Sequence, residues 1–428
     1  MLDLKRIRSD PDGVREKLRR KGEVTGLDRL IELDVRHREG LREIEGWRAQ
    51  RNTRSREIAE LLRREPDAAE AAKAEVRALG ERLREREADL EAWRSEIEDL
   101  LLRLPNTPHE SVPVGADAAS NVVVRTWGDP PRRNFEVRPH WEVGVELGIL
   151  DFERGAKLAG SGFVVLRGAG ARLQRALIAF MLDHHRAAGF EEVSPPFVAN
   201  RQAMRGSGQI PKMEADMYRV ESEDLFLIPT GEVPVTALHA DEILDEQRLP
   251  LRYVAYTPCF RLEAGAHGRD TRGLIRVHQF DKVEMVAFTR PEDSYAELEW
   301  LVSRAESVLQ ALALPYRVLL LSTGDMGANN AKQYDLEVWA PGVQRWLEVS
   351  SVSNFEDYQA RRSGIRLRRR SGEATLAHTL NGSGLALPRT LIALLENGLG
   401  PDGSVVVPDV LRPYLGGLAR IDPPQERT

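Results

Sequence analysis

The sequence predicts an α+β protein: an antiparallel sheet flanked by helices, preceded by an N-terminal antiparallel two-helix coiled-coil arm. Three observations carry this. Apolar residues recur at alternating steps of three and four through 76–104. A proline at 66 splits a long helical tract in two. Beyond about residue 126 aromatics, glycines and short β-branched runs appear, with strands in the middle and helices at the flanks.

Residues 1–26 read as a short capping helix, with Ser9-Asp10-Pro11-Asp12 as a start signal. Helical stretches follow at about 27–64 and 68–104, separated by Glu65-Pro66-Asp67. Proline there cannot continue a helix and marks a hairpin tip. In the second stretch Val76, Leu79, Leu83, Arg86, Leu90, Trp93, Ile97, Leu100 and Leu104 form a heptad seam with one polar break at Arg86. The first stretch repeats it less cleanly through Leu41, Ile44, Ile58 and Leu62, with Arg48, Arg51 and Ser55 interrupting. The pair predicts a rod about 50–55 Å long. A rod with so little core projects from something larger, either to dimerise or to reach a large partner.

Leu104-Pro105-Asn106-Thr107-Pro108 ends the arm, dividing the chain into 1–104, a proline-punctuated linker at 105–125, and a main domain at 126–428. In that domain Gly162-Phe163-Val164-Val165-Leu166 reads as strand and 170–188 as helix. Strand-like runs at 225–229, 252–261, 275–288, 316–321, 333–340 and 344–352 alternate with helices near 232–246, 291–312 and 386–398.

Composition sets further bounds. The chain of 428 residues carries 61 Lys+Arg against 67 Asp+Glu, a net charge of −6. Residues 1–103 hold 25 basic and 25 acidic side chains, the solvated faces of the rod. A polyanion needs only one locally basic face, so the near-zero balance does not exclude nucleic acid. No apolar run approaches the roughly 18 residues of a membrane span. The charged N-terminus predicts no secretory signal, so the expected compartment is the cytoplasm. A lone Cys259 and nine unpatterned His residues predict no zinc and no internal disulfide. Any metal is expected to be a hard ion held by oxygens.

Four segments carry possible chemistry. No Gly-Lys dipeptide occurs, which excludes a P-loop, and no Gly-x-Gly-x-x-Gly follows a strand. The first candidate is Cys259-Phe260-Arg261-Leu262-Glu263-Ala264-Gly265, followed by Arg269, Asp270, Arg272, Arg276 and Phe280-Asp281-Lys282-Val283-Glu284. Period-two alternation puts Arg261 with Glu263 on one strand face, and Arg276, His278 and Phe280 on another, out of phase with Asp281. A guanidinium, a carboxylate and a ring suit a phosphate, an exocyclic amine and a purine, although a solvated hairpin has the same composition. The second is Trp346 to Asn354, where Glu348 and Ser351 offer oxygens to magnesium, or simply form an edge strand. The third is His378-Thr379-Leu380-Asn381-Gly382-Ser383-Gly384-Leu385-Ala386, a glycine-rich backbone before a helix opened by Pro388-Arg389, suited to a phosphate or carboxylate, or simply a glycine turn with a helix salt bridge. The fourth is Thr230-Gly231-Glu232, suited to an ammonium and a small hydroxyl, or to helix capping.

Together and in this order these segments resemble the seryl-tRNA synthetase family of class II aminoacyl-tRNA synthetases, bacterial type, almost end to end. Phe260-Arg261-x-Glu263-Ala264-Gly265 with Gly268-Arg269-Asp270-Thr271-Arg272-Gly273-Leu274-Ile275-Arg276, and Thr379 to Ala386, are the specific features. The arm and Pro105-Asn106-Thr107-Pro108 also match. The resemblance implies a serine–tRNA ligase that activates L-serine with ATP and transfers it to tRNA-Ser, extending to tRNA-Sec. It implies Mg2+ with ATP and a homodimer built on Gly189 to Pro196, with residues 1–104 binding tRNA and 126–428 catalytic.

By the same resemblance Arg261, Glu348 and Arg389 are catalytic. Thr230, Gly231, Glu232, Glu284, Asn381 and Ser383 bind serine. Arg261, Leu262, Glu263, Arg276, Val277, Phe280, Glu348, Val349, Ser350, Ser351 and Arg389 bind ATP, with Mg2+ on Glu348 and Ser351. Two departures from the family pattern occur: Gly231 replaces a small side chain and leaves the pocket looser, and Pro388 precedes Arg389 where glycine is common. Arg361-Arg362, Arg366 and Arg368-Arg369-Arg370 fit either the tRNA acceptor end or a solvated loop. The rival readings are a same-fold ligase serving a carrier protein or secondary metabolite, and a non-catalytic tRNA-binding or regulatory relative, which loss of Arg261, Glu348 or Arg389 would mark; all three are present.

Overall fold

The computed structural model describes residues 1–22, 24–264 and 272–424. The chain divides into two compact units, one of Leu2–Arg19 with Glu23–Pro105, the other of Met1, Arg20–Gly22 and Asn106–Thr428.

The first unit opens with two short helices, α1 (Leu4–Ser9) and α2 (Pro11–Arg20), where one was expected. Asp10 ends α1 and its carboxylate accepts from the Gly13 amide at 2.9 Å, so the start signal belongs to α2. The rod is α3 (Leu27–Arg64) and α4 (Pro66–Arg103), each of 38 residues. Pro66 both stops α3 and opens α4, because a first-turn position needs no amide donor. Leu83 and Leu90 pack on Ile44, flanked by Trp47 and Trp93. Leu41 and Leu62, assigned to the seam from sequence, are instead 43% and 50% exposed. Gly40 takes that place: a Cβ there would lie 3.0 Å from Leu90 and 3.2 Å from Trp93. The helices approach closely here, so the seam follows a glycine and a tryptophan that a search for aliphatic residues passes over. The polar break has a physical cause. The Arg86 guanidinium lies 5.9 Å from the Trp47 ring centre and 5.7 Å from that of Trp93, so it stacks rather than interrupts.

The second unit centres on an eight-stranded sheet. Its strands are β1 (Val122–Trp127), β2 (Glu191–Glu192), β3 (Leu251–Phe260), β4 (Gln279–Thr289), β5 (Tyr316–Leu320), β6 (Lys332–Ala340), β7 (Arg345–Asn354) and β8 (His378–Ala386). The order is β1-β5-β6-β7-β8-β4-β3-β2, antiparallel except where β2 runs parallel to β3. Helices α5 (Ala169–Ala187), α6 (Glu232–Ala237), α7 (Ser294–Ala311), α8 (Tyr358–Ser363) and α9 (Leu387–Asn397) complete the frame. Leu173, Leu177, Leu298, Leu301, Leu391 and Leu394 from α5, α7 and α9 join the main core with Val349 and Val352 of β7. Each such side chain contributes about 1.5–3 kcal/mol on burial.

Three expectations change. The glycine-rich tract at His378–Ala386 is a strand at the centre of the sheet, not a turn. The helix expected over 232–246 stops at Ala237, because Ile243–Asp245 pairs in parallel with Arg366–Arg368. The stretch expected as linker contains β1 from Val122 onward, and Asn106 Nδ2 donates to the Asn329 and Phe355 carbonyls at 3.0 and 2.8 Å.

Candidate active site

A cleft of about 790 Å³ opens against β4, β7 and β8. Strand alternation decides what faces it. Val283, Met285 and Ala287 of β4 enter the helical core, so Lys282 and Glu284 turn toward the cleft. On β8 a bulge does similar work: Leu385 pairs with Val283 and Ser383 with Glu284, leaving Gly384 as the extra residue. A Cβ at Gly384 would lie 2.5 Å from His185 Nε2, so only glycine fits. Asn381 and Ser383 thereby reach the cleft beside Glu284.

One end of the cleft is acidic and buried. Glu232, at the start of α6, accepts from Gln359 Nε2 at 2.5 Å and from Asn381 Nδ2 at 2.7 Å. Burial, and secondarily the negative Glu284, push its carboxyl up to about 7. Glu284 is 1% exposed. Its Oε2 pairs with Lys282 and accepts from Thr230 Oγ1 at 3.3 Å, while Oε1 has no hydrogen-bond partner among the described residues. Lys282 Nζ also donates to Thr230 Oγ1 at 2.6 Å.

The other end is cationic. The Arg261 guanidinium lies 5.1 Å from the Phe280 ring centre, and Arg276 pairs with Glu263. Arg261, Glu263 and Arg276 share no strand face, because β3 stops at Phe260 and β4 begins only at Gln279. Glu263 instead has a positive φ of 53°, and loop geometry brings it to the cleft with Arg261 and Arg276. Asp281 faces away and accepts from the Tyr256 hydroxyl at 2.9 Å. His140 steadies the segment before Arg276: its Nε2 accepts from the Leu274 amide at 3.0 Å, and its Nδ1 faces Glu396 at 2.9 Å. The accepting Nε2 requires the proton on Nδ1, which donates to Glu396.

Between the two ends, Arg389 Nη1 donates to the Glu348 carbonyl at 2.9 Å and lies 3.4 Å from its Oε2. Pro388 in the first turn of α9 keeps Arg389 at the cleft. Ser351 Oγ accepts from Gln333 at 2.6 Å and stands opposite Asp335 in the β6–β7 register. Burial, then the negative charge of Glu348, raise the Asp335 carboxyl well above the ordinary range. Two neighbouring acids and a hydroxyl that carry this cost fit a hard divalent cation. Among the described residues no three His, Cys, Asp or Glu cluster to hold a metal.

Most site residues expected from sequence thus line one cleft: Thr230, Glu232, Arg261, Glu263, Arg276, Val277, Phe280, Glu284, Glu348, Val349, Ser351, Asn381, Ser383 and Arg389. Three lie behind its wall. A Cβ on Gly231 would lie 3.1 Å from both Glu284 Cβ and Thr257 Oγ1, so this glycine tightens the contact behind Glu284 instead of loosening the pocket. The Leu262 amide donates to the Asp216 carbonyl at 3.0 Å, and the Ser350 hydroxyl to the Ser383 carbonyl at 2.6 Å. Gly265, Gly268, Arg269, Asp270 and Thr271 lie outside the described residues.

Three residues around the site carried no role in the sequence: Lys282 lines the cleft, Gln359 holds Glu232, and Asp335 stands opposite Ser351. Lys282 was accessible, since it stands two residues before Glu284 on one strand. The others depend on long-range pairing. The arginine run is not a loop: Arg366–Arg368 is a strand with Arg366 and Arg368 exposed, Arg361 pairs with Asp357 at 2.5 Å, and Arg369 pairs with Glu292 at 2.7 Å.

A family model described as the seryl-tRNA synthetase N-terminal domain matches residues 1–108. Another, the tRNA synthetase class II core domain (G, H, P, S and T), matches 217–398. A serine–tRNA ligase of Pelotomaculum thermopropionicum is 54% identical over 98% of this chain and 100% of its own. The chain belongs to the seryl-tRNA synthetase family. It is an aminoacyl-tRNA ligase with a class II core. A serine–tRNA ligase of Thermodesulfovibrio yellowstonii is 52% identical over 97% of this chain and 99% of its own. The seryl-tRNA synthetase of Pyrococcus horikoshii complexed with ATP superposes with a TM-score of 0.94 at 39% identity, covering 99% of this chain and 100% of that one. The cytoplasmic enzyme of Naegleria fowleri with AMP gives 0.88 at 30% identity, covering 99% of each. These relatives give no support to a carrier-protein ligase.

Proposed function

We propose that the cleft joins L-serine to ATP as seryl-adenylate and passes the seryl group to tRNA-Ser, and to tRNA-Sec where that tRNA exists. The observation that carries this is the division of one cleft into a buried dicarboxylate end and an arginine–aromatic end. Glu284, Glu232 and Thr230 take the serine ammonium and hydroxyl, with Asn381 and Ser383 completing the hydrogen bonds. Serine offers little apolar area, so selectivity comes from polar groups that alanine would leave unpaired.

Adenine stacks on Phe280, and Glu263 accepts from its amine once freed from Arg276. Arg261 bridges the serine carboxylate and the α-phosphate. A carboxylate oxygen then attacks the α-phosphorus as the bond to pyrophosphate breaks. Arg389 and Arg276 hold the departing phosphates. Glu348, Ser351 and Asp335 would hold Mg2+, which supplies charge neutralisation for the polyphosphate. The terminal ribose hydroxyl of tRNA next attacks the seryl carbonyl and releases AMP. Residues 1–104 bind the tRNA, and 126–428 perform the chemistry.

The edge strand at Glu191–Glu192, exposed together with Ser194 and Pro196, supports a homodimer. Among the described residues no helix is long and apolar enough to cross a membrane, which accords with a cytoplasmic enzyme. Serine-dependent ATP–pyrophosphate exchange beside charging of tRNA-Ser tests the reading. Both are expected from the full chain, and exchange without charging would overturn the tRNA assignment. Removing the rod should spare exchange and abolish charging.

A further inference from the structure

The buried end of the cleft contains one cation the reaction scheme has not used. Lys282 is 7% exposed, and its ammonium touches the two groups assigned to the incoming serine, Thr230 Oγ1 and Glu284 Oε2. Lysine is seldom buried unless paired. Here the pairing is asymmetric. Lys282 and Thr230 occupy Oε2 of Glu284, whereas its Oε1 is buried and without a hydrogen-bond partner among the described residues. A buried carboxylate oxygen left without a partner is costly unless a ligand completes it. Glu232, by contrast, has both oxygens satisfied, by Gln359 and Asn381.

We propose that Lys282 is the positioning residue of the amino-acid pocket, a resident counter-ion that holds Glu284 by Oε2 and leaves Oε1 for the ammonium of the substrate. The inference rests on the serine assignment above and deepens it. Without a fixed cation, the two neighbouring carboxylates would face only each other across the pocket. With Lys282, the pocket holds one positive and two negative side chains, and the substrate ammonium brings the second positive charge. Lys282 also spends the hydroxyl of Thr230 as an acceptor, so that its proton is directed at Glu284. A lysine that merely filled space between strands would have no need to engage only one carboxylate oxygen.

Steady-state pyrophosphate exchange with Lys282→Met, Lys282→Arg, Glu284→Gln and Glu232→Gln tests this, each titrated separately with L-serine and ATP. Lys282→Met is expected to raise the serine KM by at least about tenfold, the scale of truncating one partner of a buried charge pair. The ATP KM should stay within about twofold, because the arginine–aromatic end is untouched. Lys282→Arg keeps a cation, has room in the cleft, and should recover most of the loss. If the methionine variant fails to fold, Lys282→Gln is read instead: it retains a donor for Thr230 and removes the charge, so the same rise in serine KM is expected. A serine KM unchanged in Lys282→Met, or a parallel loss of serine and ATP binding with no recovery in Lys282→Arg, would overturn the proposal. The glutamate variants separate the two levels of the argument. A raised serine KM in Glu284→Gln with none in Lys282→Met refutes the role of Lys282 alone. No change in either glutamate variant refutes the serine pocket itself.

Discussion

The rod and the sheet are held together in opposite ways. In α3 and α4 the ion pairs lie on the surface, as with Arg29–Glu96 at 2.8 Å and Arg48–Glu87 at 2.7 Å, over a seam only a few side chains thick. In the sheet the charges that matter are buried and come from distant segments: Glu232 and Asn381, 149 positions apart, meet through one hydrogen bond. Solvent levels out a surface pair, but it is kept from Glu232, Lys282 and Glu284 in the buried part of the cleft. The rod therefore tolerates charge changes on its faces and fails when its seam is cut. The cleft fails when a single charge is lost.

The largest effect expected from that contrast is at Arg261. Arg261→Ala should lower pyrophosphate exchange by at least about 10²-fold while tRNA retention on filters persists. Retained exchange would remove Arg261 from the phosphate site. Next comes the seam. Leu90→Asp buries a charge against Ile44 and should cost at least about 2–5 kcal/mol locally. Charging should collapse and helical circular dichroism fall, with exchange preserved; loss of exchange too would contradict the independence of the regions.

A third test uses acidity. In the folded chain Glu232 loses its proton only near pH 7, because burial and Glu284 oppose its ionisation. The unfolded chain ionises in the ordinary carboxylate range. This group therefore favours folding below that range, and its contribution is lost as pH rises through about 7. Ammonium binding needs the ionised form, so the serine KM should fall by up to about tenfold per pH unit on approaching neutrality, then level off. Glu232→Gln should flatten the profile, and an unaltered slope would dismiss Glu232 as its source.

A smaller effect is expected at His140→Ala, which frees the Leu274 amide behind Arg276. The ATP KM should rise about threefold to tenfold with the serine KM steady. Smallest of all is Glu91→Gln on the rod, which breaks the exposed pair with Arg94 and should leave melting and charging unchanged. A clear drop in either would show that surface pairs do hold the rod.

The same contrast explains what could be read from the chain alone. Helix periodicity is local, so both helices of the rod and their proline tip were legible from residues 27–104. The misread register at Leu41 and Leu62 came from weighting aliphatic residues over Gly40 and Trp47. In the sheet, β3, β4, β5, β6 and β7 were legible as strand-like runs. β8 was not, because its glycines answer to close neighbours such as Val352 and His185 rather than to strand preference. Site residues were legible mainly through family resemblance. Asp335 and Gln359 were not, since what places them is pairing across strands and packing against Glu232.

The bulge at Gly384 has one further consequence. A strand is a wave of period two, and one added residue shifts it by half a wavelength. Before the shift an even-numbered residue, Leu380, points to the core; after it an odd-numbered one, Leu385, does. Asn381 and Ser383 occupy the cleft in the interval between. A substitution along this strand changes one position, whereas a change in its length moves every position beyond it. A single deletion would exchange every inward and outward side chain on one side of it. The count of residues from His378 to Ala386, more than their identities, is what keeps core and cleft in phase.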